Sequence, residues 1–461
     1  GGAINLAGSV KGKATARHAV SDWMEIEKER GISVTSSVLQ FNYDGFCINI
    51  LDTPGHQDFS EDTYRTLMAA DSAVMVIDAS KGVEAQTRKL FKVCVMRHIP
   101  IFTFINKLDR EAKDTFELLD DIEKELGIAT CPINWPIGSG KEFKGVYDRA
   151  KREVELFSDT KKGTAMGEVK TVPIDAPETE ELIGADAKDI LADEIELLDG
   201  AAAEFDQELV DKGQLSPVFF GSALTNFGVE TFLKHFLKMT TSPLPRKSDH
   251  GEIDPMTEKD FSAFVFKIQA NMNKAHRDRI AFMRICSGEF EAGMSVYHVQ
   301  GGKDVRLSQP QQMMASERKM IDKAYGGDII GVFDPGIFSI GDTLTTSKEK
   351  FAYEGIPTFA PEHFARVRQV DTMKRKQFVK GINQIAQEGA IQIFQEFNTG
   401  MEEIIVGVVG VLQFDVLKYR LQNEYNVEIR LENLPYEYIR WIENEEIDMD
   451  RLSGTSDMKK I

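Results

Sequence analysis

Short apolar runs recur along the first half of the chain, at 46–51 (Phe-Cys-Ile-Asn-Ile-Leu), 73–78 (Ala-Val-Met-Val-Ile-Asp), 101–105 (Ile-Phe-Thr-Phe-Ile) and 217–221 (Pro-Val-Phe-Phe-Gly). Their length and β-branched content predict strands. Helical spacing occupies 61–70, 85–97, 114–126 and 230–239. Strand–helix alternation of this kind implies a parallel, doubly wound sheet. The alternation loosens over 110–216, which reads as an insertion with a β segment at 145–157 and an acidic helix at 187–198. A proline-rich connector, Ser242-Pro243-Leu244-Pro245-Arg246, then marks a change of pattern.

Beyond it, β-like runs at 261–269, 279–287, 295–299 and 329–333 are parted by glycine turns, which reads as a small antiparallel barrel. From about residue 356 the order changes again. A strand at 365–370, a helix at 374–387, strands at 390–394 and 403–408, a helix at 411–424 and a strand at 427–431 suggest a ferredoxin-like layer. The expected division is 1–245 with insertion 110–216, then 246–350, then 351–461.

Composition narrows the class. The 461 residues are 42% hydrophobic and 28% charged, which suits globular cores. A formal net charge of -19 argues against a protein that coats nucleic acid by bulk charge, and no DNA partner is expected. Two basic clusters qualify this: Lys274, His276, Arg277, Arg279 and Arg284 in the barrel, and Lys374, Arg375, Lys376 and Lys380 opening a helix. RNA phosphate contacts are one reading of them and a solvated face is the favoured one. The longest apolar stretch, 404–412, is too short to span a bilayer. The first residues show no charged-then-apolar leader. Cys47, Cys94, Cys131 and Cys286 form no metal or disulfide spacing, so a reducing cytoplasmic setting is expected. Nothing calls for a homo-oligomer, and a monomer is expected.

Candidate chemistry sits where the strand-like runs end. Open α/β sheets bind ligands outside the carboxyl ends of their strands, so both motifs below are expected to face one crevice. Asp52-Thr53-Pro54-Gly55-His56 follows the first run. A strand-end Asp52 can hold Mg²⁺ through water beside the β- and γ-phosphates. Gly55 lets its N–H approach a phosphate oxygen, and His56 would orient or polarise the attacking water. Asn106-Lys107-Leu108-Asp109 follows the third run. Asp109 can accept both N1–H and N2–H of guanine, a selection adenine fails. Asn106 would tie loops together, and the stem of Lys107 would cover the base. After the fourth run, Ser222, Ala223 and Leu224 would bring a backbone N–H to the guanine O6. Ser33, in Arg30-Gly31-Ile32-Ser33, could close on Mg²⁺, although Gly31 also reads as a helix stop. The bland alternatives are an ordinary turn with an exposed histidine and polar loops ending strands. Together the motifs argue for a GTP switch.

A P-loop, G-x-x-x-x-G-K-[ST], is not found. The nearest run, Ala7-Gly8-Ser9-Val10-Lys11-Gly12-Lys13-Ala14, lacks the first glycine and the final hydroxyl; Ser139-Gly140-Lys141 fails on spacing. Gly407 and Gly410 form a GxxG inside an apolar run, best read as helix–strand packing.

These residues resemble the translational GTPases, and among them the release factor 3 family. The general likeness rests on 30–33, 52–56, 106–109 and 221–223. The narrower one rests on Ser21-Asp22-Trp23-Met24-Glu25, Asp58-Phe59-Ser60-Glu61-Asp62-Thr63-Tyr64-Arg65-Thr66, Trp135-Pro136-Ile137-Gly138, Phe264-Val265-Phe266-Lys267-Ile268-Gln269-Ala270-Asn271-Met272 and Val409-Gly410-Val411-Leu412-Gln413-Phe414-Asp415-Val416. The resemblance implies a P-loop-type GTP-binding domain, a β-barrel and an α/β third domain. It implies a ribosome-stimulated GTPase whose cycle helps eject the codon-reading release factors and which reads no codon itself. His56 matches the family's catalytic histidine. Ser33 falls where many relatives carry a threonine magnesium ligand. The family's P-loop is expected to precede residue 1, and its third domain to continue past residue 461. Two other readings stay open: an elongation factor G-like translocase, disfavoured by chain length, and a ribosome-binding module without GTPase activity.

Overall fold

The computed structural model describes Ile26 and residues 36–157, 169–270, 278–308, 311–314, 317–397, 404–452 and 460–461. Its first sheet is parallel, with strands in the order Ala73–Asp78, Ile101–Asn106, Leu215–Phe220 and Ala129–Pro132. The helices Ala85–Met96 and Thr115–Leu126 lie between its strands in the chain. Ile101, Phe102, Ile105 and Val218 are buried, as a sheet covered on both faces requires. Helix Thr115–Leu126 has clear stop and start signals. Asp114 accepts the Glu117 N–H at 3.1 Å, and Gly127 closes the helix in the left-handed conformation at φ 69°.

Two expectations change here. The run at 46–51 is a strand, Phe46–Asp52, but it pairs antiparallel with Ser37–Tyr43 in its own hairpin. Hydrophobic pattern specifies a strand without specifying its neighbour. Strand–helix alternation also persists past residue 110. Helix Thr115–Leu126 and strand Ala129–Pro132 still belong to the parallel sheet. The departure starts at Asn134–Ile137, the first strand of a four-stranded antiparallel sheet, beside which lie helices Pro177–Ile183 and Ala185–Ala201. The strand at 129–132 has four residues and ends in proline, too short to show a period.

The connector is pinned rather than loose. Leu244 N–H donates to Asp71 at 3.0 Å, and Arg246 is buried. The barrel follows as an eight-stranded sheet built around Ser262–Ala270 and Arg279–Ser287. Its outer face (Phe264, Phe266, Ile280 and Phe282) packs on Val38 and Ala69 from the first part of the chain. The third sheet has the order Gln392–Gln395, Ile404–Val408, His363–Gln369, Ile429–Leu434, antiparallel throughout. Helices Arg375–Gln387 and Leu412–Tyr425 supply Phe378, Ile382, Ile385, Leu417 and Leu421 to its core. This is the ferredoxin-like arrangement expected.

Candidate nucleotide site

Three strands of the parallel sheet end together and are tied by side chains. Asn106 closes strand Ile101–Asn106, and its Oδ1 accepts the Ala223 N–H at 2.8 Å. Leu108 N–H donates to the Gly221 carbonyl at 3.3 Å, and the Ser222 hydroxyl donates to Asp109 Oδ1 at 2.6 Å. A Cβ on Gly221 would meet the Phe227 carbonyl at 2.5 Å and Phe104 at 2.9 Å, so only glycine lets the 221–228 turn close on itself against strand Ile101–Asn106. Lys107 takes a left-handed conformation, φ 70°, and its ammonium lies 2.9 Å from Asp78. Asp78 ends the neighbouring strand and also accepts the N–H and hydroxyl of Ser80 at 2.9 and 2.7 Å. Burial pushes the Asp78 carboxyl up, but the bonds from Lys107 and Ser80 outweigh it and hold it well below the usual carboxylate range.

Asn106, Lys107, Asp109, Ser222 and Ala223 therefore form one cluster. Leu108 is buried beneath it, and Leu224 is exposed on the loop. Asp109 is half-buried and oriented by Ser222; each carboxylate oxygen keeps a further lone pair for a ligand. A cleft of about 690 Å³ opens beside it, lined by Lys141, Lys144, Phe157, Lys170 and Thr225. Asp78 and Ser80 were missed by the sequence reading, although Asp78 shares the strand-end position that singled out Asp52 and Asn106.

The Asp52 turn makes a second neighbourhood. Asp52 is exposed at the end of its strand, Thr53 is half-buried and Pro54 is buried. The Pro54 carbonyl accepts the Thr63 hydroxyl at 3.2 Å. Among the described residues nothing lies within 4 Å of where a Gly55 Cβ would stand. His56 is the N-cap of the short turn Gln57–Phe59, and its Nδ1 accepts the Asp58 N–H at 3.1 Å. Its ring meets Phe59 edge-on at 6.1 Å. Ser33, the other expected magnesium ligand, lies outside the described residues.

The turn leads into helix Ser60–Ala69, which carries acidic residues where a helix N-terminus favours them. Glu61 pairs with Arg65 at 3.2 Å and accepts the Phe359 N–H at 3.1 Å. Asp62 accepts the N–H and hydroxyl of Ser36, both at 2.5 Å, and faces Lys267 at 3.6 Å. At the other end, three arginines donate to the carbonyls of the last turn, where intrahelical partners run out. Arg97 donates to Leu67 and, at 2.6 Å, to Ala70. Arg246 donates to Met68, and Arg284 to Ala69 at 2.6 Å. Asp71 holds Arg284 at 2.8 Å. Burial, then the cations Arg97 and Arg284, push Arg246 down to about 9, which leaves it charged at neutral pH.

This corrects the reading of the barrel cluster. Arg284 is buried against the helix, and Arg279 is buried between Asp334 (2.6 Å), the Phe338 carbonyl (2.8 Å) and Gln387. Neither is a solvated face or open to RNA. Lys274, His276 and Arg277 lie outside the described residues. Arg375, Lys376 and Lys380 are exposed, and Lys374 donates to the Asn426 carbonyl at 3.0 Å.

The elongation factor Tu GTP binding domain matches residues 2–242, elongation factor G domain 2 matches 260–347, and the C-terminal domain of class II release factor RF3 matches 353–460. Peptide chain release factor 3 of Symbiobacterium thermophilum is 60% identical over 458 residues, covering 99% of this chain and 86% of that protein. Its namesake in a Cyanothece species is 54% identical over 442 residues, covering 96% of this chain and 81% of that protein. A crystal structure of a Thermus thermophilus protein shares the fold at TM-score 0.74 and 20% identity, over 93% of this chain and 64% of that one. A guanine-nucleotide-binding sheet followed by this barrel and this α/β layer defines a translational GTPase. Within that class the chain belongs to the peptide chain release factor 3 family, the GTP hydrolases of translation termination. Among the described residues no helix is long and apolar enough to cross a membrane.

Proposed function

We propose that this protein hydrolyses GTP on the ribosome and uses the cycle to promote dissociation of the codon-reading release factors after peptide release. Its partners are then ribosomal RNA and proteins together with those factors, in the cytoplasm, with neither membrane nor DNA involved. Asp109 accepts the paired N–H groups of guanine, the Ser222, Ala223 and Leu224 loop offers backbone N–H to its O6, and the stem of Lys107 covers the ring. The observation that carries this reading is the pair of bonds from Ala223 to Asn106 and from Ser222 to Asp109. They prearrange two loops more than a hundred residues apart, which is what selective recognition of one base edge needs.

Asp52 and Ser33 are the proposed Mg²⁺ ligands, Asp52 through water. An exposed carboxylate at a strand end suits that ion. Bound Mg²⁺ would neutralise charge on the β- and γ-phosphates. Gly55 brings its N–H to a phosphate oxygen, and Thr53 and Pro54 carry the chain there. His56 orients the attacking water. In its neutral form the ring accepts at Nδ1 from Asp58, so Nε2 bears the proton and is a donor.

Exchange of Asp109→Asn tests the base assignment. The full-length variant should lose GTP selectivity and prefer xanthosine triphosphate, because the amide donates where the carboxylate accepted. A variant that still favours GTP in competition binding would remove Asp109 from base recognition.

A further inference from the structure

The glycine pair in the third domain does two different jobs. Gly407 lies in strand Ile404–Val408, where a Cβ would meet Pro361 and Phe394 at 2.8–2.9 Å, so it serves packing within the domain. A Cβ on Gly410 would instead overlap Asp58 at Cα, Cβ and Cγ. The third-domain backbone thus lies directly on the residue whose N–H His56 caps. Two further contacts fix the approach. Leu412 N–H donates to Asp58 Oδ2 at 2.9 Å, and Phe59 packs against Val416 and Leu412. The loop itself is braced by Gln413, which accepts the Val409 and Gly410 N–H groups at 2.9 and 3.0 Å and donates to the Ala390 carbonyl at 3.0 Å.

On the His56 side, Asp58 offers two alternatives to one ring nitrogen. Its backbone N–H donates to Nδ1 at 3.1 Å, while its Oδ1 stands 3.6 Å from the same atom. The first contact needs an unprotonated Nδ1 and the second a protonated one. A carboxylate held by Leu412 favours the first.

We infer that the 410–412 loop of the third domain is a positioning element for His56, acting through Asp58. Seated, it anchors the Asp58 carboxylate on the Leu412 amide and leaves Nδ1 to the Asp58 amide, so the ring presents Nε2–H. Unseated, the carboxylate is released toward Nδ1, and ring orientation and tautomer change together. Docking of the third domain is thereby read at the hydrolytic residue without any contact to nucleotide. The inference rests on the proposed role of His56.

The test uses full-length protein with ribosomes and four variants. Gly410→Ala forces the loop off Asp58 and should lower the maximal hydrolysis rate on the order of 10²-fold. GTP affinity and the KM for ribosomes should stay near wild type. Asp58→Ala, which removes the acceptor for Leu412, should do the same. Asp58→Asn keeps an oxygen for that amide and should recover most of the loss. Nitrogen-15 spectra of the histidine rings should show His56 in the Nε2–H form in wild type and Asp58→Asn, and shifted from it in the other two. His56→Ala separates the two ideas. If it leaves turnover intact, the role of His56 fails and this inference with it. If it abolishes turnover while Gly410→Ala and Asp58→Ala keep the full rate, the positioning role alone is overturned. Equal losses in Asp58→Asn and Asp58→Ala would also overturn it, since charge and not the Leu412 bond would then matter. Should Gly410→Ala fail to fold, the Asp58 pair and the ring spectra decide alone.

Discussion

Asp52, Asp78 and Asn106 each close a strand, and their different surroundings give them different work. Asn106 accepts from Ala223 and Asp78 from Lys107 and Ser80; Asp52 lies exposed where its strand ends. His56 stands apart as the proposed catalyst. Its replacement by alanine in full-length protein should keep GTP binding and cost about 10²–10⁴ in ribosome-stimulated hydrolysis; a turnover assay at saturating ribosomes reads this. Asp62 makes a pH prediction. Burial alone would raise its carboxyl; the Lys267 and Arg65 charges and the two Ser36 bonds outweigh that and lower it below the ordinary aspartate value. A group depressed on folding stabilises above its unfolded value, and that stability is lost as pH falls through the folded one. Thermal midpoints should therefore drop below about pH 4, and Asp62→Asn should flatten that limb of the profile. The placement of Asn106 and Asp109 where a strand ends was legible from residue type and the apolar run before them. The contact between Asp58 and Gly410 was not, because it joins segments some 350 positions apart.

Helix Ser60–Ala69 was legible as an element to within a residue at each end, since its start and its spacing are local. What holds it was not. Arg284 read in the sequence as part of a basic cluster and nothing in the pattern marked Arg97 or Arg246, yet all three donate to carbonyls at the last turn of the helix. Cations at that end also oppose the negative end of the helix dipole. Arg284→Met should be costly despite similar volume. It strands the Ala69 carbonyl and leaves Asp71 with the Leu244 N–H but without its cation, a loss of about 3–5 kcal/mol for a broken buried pair. Urea titration should show it as a lower midpoint for the transition reported by the first domain. The pairing of Phe46–Asp52 illustrates the same limit: the run shows a strand, and only the register with Ser37–Tyr43 shows where it goes.

At the scale of the whole molecule, Glu388 joins three parts of the chain. It accepts Gln269 at 2.8 Å and the Ala270 N–H at 2.5 Å from the barrel, and pairs with Arg420 at 2.6 Å in its own domain. The carbonyl beside it, on Gly389, takes Arg65 of helix Ser60–Ala69 at 2.8 Å. A cavity of about 50 Å³ remains between them, lined in part by Asp62, Lys267 and Arg420. Glu388→Ala should leave Arg420 with Glu424 alone, lower the unfolding midpoint and enlarge the radius of gyration in solution scattering. An unchanged radius would show that the apolar contacts suffice to keep the three parts together. The sheets of these parts were legible because each has its own period. Their junction combines single long-range bonds with apolar contacts between distant segments, and neither leaves a period in the sequence.

The arginine-bound helix end bears on how this protein is dissected. Two of its three guanidiniums come from residues 246 and 284, beyond the nucleotide-binding half. A fragment trimmed after residue 242 would present bare carbonyls at Met68 and Ala69 and an orphaned Asp71 on a newly wetted apolar face. The modules look separable on a map of the chain, but the first would need redesign of that rim before it could be expressed as a well-behaved unit.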